Sequence, residues 1–112
     1  MQTINRSIAI IKPKQPFVDW ANQLPDAEDK TLLEDLNDDC LAILIPNYET
    51  NDEAKKYIDG MVEDIFEEQL FGRCTHKPWW PKKRTKKLFW AWFEAELHSI
   101  VIDSCNEPII EE

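Results

Sequence analysis

Apolar residues recur along this chain in two rhythms, one of period two and one of period 3.6. From Ile4 to Lys12, Ile8 and Ile10 fall on one face and Ala9 and Ile11 on the other. Apolar side chains on both faces predict a strand covered on both sides. The "KPKQP" that follows ends it, because proline has no N–H for a ladder and turns its predecessor away from helix. Pro16 suits the first turn of a helix, and Phe17, Val18, Ala21 and Leu24 keep helical spacing until Pro25. Cys40 to Pro46, "CLAILIP", is a continuous apolar run bounded by turn residues. It has the form of a central strand, although periodicity alone does not separate it from a buried helix.

The strongest pattern follows. Thr50 to Glu53, "TNDE", is a capping box, after which Ala54, Tyr57, Ile58, Met61, Val62, Ile65, Phe66 and Leu70 form one apolar stripe. A five-turn helix ending at Gly72 is expected. A second box, "TLLE" at Thr31 to Glu34, predicts a single helical turn inside the acidic connection Asp26 to Asp39. Near the end, Thr85 caps a helix with Leu88, Phe89, Trp92 and Phe93 on one side. The stretch "EAELHSIVIDSC" then alternates as a last strand. Every odd position from Phe89 to Val101 is uncharged, so one long bent strand satisfies the same residues.

The fold class is thus mixed α and β, either α/β or α+β. A small sheet of about three strands would pack with two or three helices, in the order β-α-β-α-(α)-β. With 112 residues, the length fits one globular domain, 1–112, with 106–112 as a loose polar-apolar tail. Three cysteines at wide spacing make no disulfide framework and fit a reducing compartment. The longest apolar run near the N-terminus, Ile8 to Ile11, is too short for a signal peptide or a membrane span, so a cytoplasmic protein with no membrane partner is expected.

Charge changes the picture. The formal net charge is −9, yet Arg73 to Lys87 holds seven of the thirteen basic residues and no acidic one. The other residues carry six basic and twenty-two acidic side chains, a balance of −16. On the long helix Asp59, Glu63 and Glu67 stack at i, i+4 with Asp64 and Glu68 beside them. Each like-charge pair costs about 0.2–0.5 kcal/mol, and acids late in a helix oppose its dipole. The basic segment therefore has three readings. It folds back as a counter-charge to that acidic face. It joins that face as a protein-docking surface, since Trp and Arg are frequent interface anchors. Or it binds single-stranded nucleic acid, with Trp79 and Trp80 stacking bases and Lys82, Lys83, Arg84, Lys86 and Lys87 gripping phosphates. The surrounding negative charge disfavours the last reading.

Other chemistry is thin. Cys74 and His76, joined by His98 and Cys105, are zinc-ligand types without finger or ribbon spacing. Cys74 or Cys105 as nucleophile, His76 or His98 as base and Asp103 as orienter form no regular triad, because His98 and Asp103 fall on opposite strand faces. Glu94 and Glu96 share a strand face and could hold a metal, but paired strand glutamates are usually only solvated. Two glycines cannot build a phosphate-cradling loop. The expectation is a non-catalytic acidic protein–protein interaction module, without cofactor. It would meet a protein partner through Asp59, Glu63, Asp64, Glu67 and Glu68, with the tryptophan-bearing loop as second anchor. In size and charge it is like small acidic inhibitor or immunity proteins. The alternatives are the single-strand binder and a small metal or thiol site at Cys74 and His76.

Overall fold

A computed structural model describes all residues, Met1–Glu112. The elements run β1 (Gln2–Thr3), β2 (Ser7–Pro13), α1 (Gln15–Asn22), α2 (Leu33–Asn37), β3 (Leu41–Ile45), α3 (Asn51–Asp59), α4 (Val62–Phe71), a 3-10 turn (Lys77–Trp79), α5 (Lys86–Trp92), β4 (Phe93–His98) and β5 (Ile102–Asp103). The protein is mixed α and β, with five helices and two small antiparallel sheets. One sheet has the order β3-β2-β4 and the other is the ribbon β1-β5.

β2 is the central strand. It pairs with β3 from Ser7↔Ile45 to Ile11↔Leu41 and with β4 from Ile8↔His98 to Pro13↔Phe93. Placing β3 at an edge corrects the expectation of a central strand there: its apolar run reflects one buried face plus Ala42 and Leu44, which are exposed. The expectation that β2 is covered on both sides also changes. Ser7, Ala9, Ile11 and Pro13 are buried, whereas Ile8, Ile10 and Lys12 stay partly open. The reason lies in the helices, whose core residues cluster with Ala9, Ile11, Ile45 and Phe93 on one side of the sheet. The other side shows Ala42, Leu44, Glu94, Glu96 and His98 to solvent, with His98 Nε2 3.2 Å from Glu96 Oε2.

The five-turn helix is two helices. Met61 leaves helical geometry (φ −131°, ψ 17°) after Gly60, a residue of low helix propensity, and α4 starts afresh at Val62. The apolar stripe survives, since Ala54, Ile58, Val62, Ile65, Phe66 and Leu70 are all buried. The break also relieves the acidic stack. Glu63 and Asp64 now sit in the first turn of α4, where the helix dipole favours them. Thr50 caps α3 and Thr85 caps α5, each hydroxyl accepting a backbone N–H three residues on at 3.2 Å. Thr31 does not cap. Helix α2 begins two residues later, and the Thr31 hydroxyl accepts from Arg73 Nη2 at 2.8 Å.

After α5 the chain takes the helix-then-strand path, and the last strand divides at Ser99–Val101 into β4 and β5. Ser104–Glu112 have no helix or strand and are exposed. The core is one cluster of 17 buried residues. Its centre is aromatic: Phe66 lies 5.5 Å from Trp92 and from Phe93, and Phe17 lies 5.1 Å from Phe93. No helix is long and apolar enough to cross a membrane.

Candidate interaction surface

The acidic residues expected on one helix face are distributed over different contacts. Asp59, the last residue of α3, accepts a hydrogen bond from Trp90 Nε1 of α5 at 2.6 Å. It is an internal partner, tying α3 to α5. Glu67 meets Arg84 Nη2 at 3.2 Å across the turn between α4 and the basic segment. Asp64, Glu67 and Glu68 line an open groove of about 430 Å³ together with Phe71, Lys77 and Trp80. Phe71 is 56% exposed, so this groove has an apolar wall as well as a carboxylate rim.

Two residues of the basic segment, Lys77 and Trp80, line that groove, and the tryptophans of the segment are tied inward. Trp80 is only 7% exposed, and its Nε1 donates to the Cys74 carbonyl at 2.8 Å. Lys77 Nζ stands 6.0 Å and the Arg84 guanidinium 5.9 Å from its ring centroid. Trp79 is half-buried against His76 at 4.5 Å, and its carbonyl accepts from Trp20 Nε1 at 3.0 Å. Trp80 is therefore withdrawn from the faces on which a base could stack.

The cations divide in the same way. Arg84 also donates from Nη1 to the Pro81 carbonyl at 2.9 Å, and its Nε is buried without an acceptor. Arg73 reaches Thr31. Lys82, Lys83, Lys86 and Lys87 are exposed and form no ion pair within 4 Å. The counter-charging of α4 is thus local, one arginine on one glutamate, and Asp64 and Glu68 line the groove without an ion pair.

The thiols and histidines do not converge. Cys74 is buried with Sγ 3.6 Å from the His76 carbonyl, so backbone, not imidazole, faces the thiol. His98 lies on the outer face of β4 and Cys105 beyond β5, and no three His, Cys, Asp or Glu side chains form a metal-holding group. Cys40 is half-buried at the end of α2 with its Sγ 3.6 Å from the Leu36 carbonyl. Burial pushes its thiol pKa up; Lys12 opposes this, and Asp39 and Glu96 add to it. It is a poor nucleophile at neutral pH.

A feature that sequence reasoning missed is the cleft between α3 and β4, lined by residues that include Lys14, Lys55, Trp90 and Glu94. Lys55 Nζ stands 4.8 Å over the Trp90 ring, and Lys14 Nζ donates to the Trp90 carbonyl at 2.8 Å. Lys14 and Lys55 are far from Trp90 in sequence, and no local motif marks the contact. Comparison with protein-family models, curated proteins and solved structures finds no match for this chain.

Proposed function

We propose that this protein works by non-catalytic contact with a basic protein partner, which it receives in the groove of α4. The observation that carries this reading is the combination of Asp64, Glu67 and Glu68 with the exposed Phe71 ring and the Trp80 edge in one concavity. A Lys or Arg side chain lays its aliphatic stem on aromatic carbon and presents its charged head to carboxylates, and this groove supplies both. Lys77 already borders the groove near Trp80 and acts as the internal occupant that a partner's cation displaces. The net charge of −9 attracts a basic partner at long range. Three unpaired thiols fit a reducing, cytoplasmic setting.

The test is affinity capture with the wild type against Glu67→Lys/Glu68→Lys. A specific basic protein retained by the wild type and lost both in the double variant and at high salt supports the groove. Retention by the double variant sinks it. A second reading, single-strand nucleic-acid binding, is favoured by the four exposed lysines without ion-pair partners and weakened by the burial of Trp80. It expects oligonucleotide affinity that falls steeply with salt and with Lys82→Gln/Lys83→Gln/Lys86→Gln/Lys87→Gln.

A further inference from the structure

The two edges of the three-stranded sheet are built differently. β4 carries Glu94 and Glu96 on its outer face and has α3 packed beside it. Both are devices that keep a foreign strand away. β3, Leu41–Ile45, has no charge and no proline, and its register against β2 runs without a bulge from Ser7↔Ile45 to Ile11↔Leu41. No backbone hydrogen bond outside the helices and ladders involves these five residues. Their outward N–H and C=O groups therefore have no protein partner. Leu44 is 47% exposed, and Ala42 beside it is exposed too.

We propose that β3 pairs with β3 of a second copy, antiparallel about a two-fold axis at Ile43, joining two three-stranded sheets into one of six strands. The side chains favour a second copy over an unrelated extended peptide. In this register Leu41 opposes Ile45 of the second copy and Ala42 opposes Leu44. Outer-face residues therefore meet outer-face residues, as the two-residue period of a strand requires. Exposed Leu44 packs over small Ala42, and the symmetry repeats the match in reverse. The paired segment Leu41–Ile45 itself carries no charge, so no like charges oppose each other within the ladder. The open stripe of Ile8, Ile10, Ala42 and Leu44 becomes continuous across the junction.

Each copy carries −9, so association is opposed at long range and strengthens with salt. This sign is opposite to that expected for a basic partner in the α4 groove, and the two interactions fail independently.

The experiment is sedimentation velocity of the full chain up to about millimolar concentration, at low and at high NaCl, together with hydrogen exchange of the β3 amides. The expected result is reversible growth from 13.2 kDa toward twice that mass, greater at high salt, with β3 amides gaining protection as concentration rises. Leu44→Lys should weaken the dimer more than about tenfold while leaving the far-ultraviolet circular dichroism unchanged. Ala42→Lys, on the same exposed face, serves if the first variant misfolds. A chain that stays monomeric throughout overturns the proposal, as does a dimer indifferent to both variants. Protection of β3 that appears only when an extended alternating Lys-Ile peptide is added would give the edge to a foreign strand and also overturn it.

Discussion

The indole nitrogens of Trp20, Trp80 and Trp90 each donate to a defined oxygen: the Trp79 carbonyl, the Cys74 carbonyl and the Asp59 carboxylate. These bonds decide what the tryptophans are for. Trp79 and Trp80 read in sequence as an adjacent pair flanked by prolines in a charged loop, which suggests exposure. That local pattern carries no signal of the Cys74 carbonyl waiting six residues upstream. Asp59 is a similar case: charge patterning groups it with Glu63 and Glu67, and only the approach of α5 shows that it is spoken for by Trp90. Trp80→Ala is expected to destabilise the fold by about 3–5 kcal/mol, the range for removing a buried large aromatic, with a further cost from the orphaned carbonyl. Trp79→Ala, at a half-buried site, should cost less. Urea denaturation of the two variants measures the difference; equal midpoints would contradict the burial of Trp80.

At the scale of elements, legibility depends on whether the deciding interaction is local. The caps at Thr50 and Thr85 are readable because hydroxyl and amide are three residues apart. The same rule misleads at Thr31, where Asn22 and Arg73, distant in sequence, occupy the residue instead. The break at Gly60–Met61 is masked by the apolar stripe that continues through it, although Gly60 and the acids Glu63 and Asp64 just after it are the local signals of a new helix start. Thr50→Ala and Thr85→Ala should each cost about 1 kcal/mol, as loss of a cap does, whereas Thr31→Ala removes no cap. Gly72 ends α4 with φ −63° and ψ −20°, not in a left-handed conformation, and an added Cβ would meet the Gln69 and Glu68 carbonyls at 3.6 Å. Gly72→Ala is therefore expected to stabilise by about 0.4–1 kcal/mol by restricting the unfolded chain. Thermal melts of these four variants check both signs.

The whole molecule is longer than its mass requires. A compact chain of this length has a radius of gyration of about 13 Å, whereas here it is 15.6 Å, with extents of 46 × 29 × 24 Å. The ribbon of β1 and β5 and the exposed Ile100, Ile102, Ile109 and Ile110 lie outside the 17-residue core. Two-residue strands hold little by themselves. Amides of β1 and β5 should exchange with solvent far faster than those of β2, which hydrogen-exchange mass spectrometry resolves by segment; equal protection would mean that the ribbon is tied to the core. The mixed fold class was visible in the order of periodic segments. Sheet order was not, because which strand lies at the centre depends on pairings between residues tens of positions apart, such as Ile8 with Leu44 and His98.

The aromatic cluster at the centre has a spectroscopic consequence. Trp20 and Trp92 lie 6.2 Å apart at 42°, with Phe17 and Phe66 against them. Rings held so close in a chiral frame couple their transitions, so the near-ultraviolet dichroism of this protein reads the register of its core and collapses when packing loosens, even while helices persist. Trp80 and Trp90 line the surface concavities while Trp20 and Trp92 belong to this cluster, so near-ultraviolet dichroism follows the interior and indole fluorescence also carries the grooves.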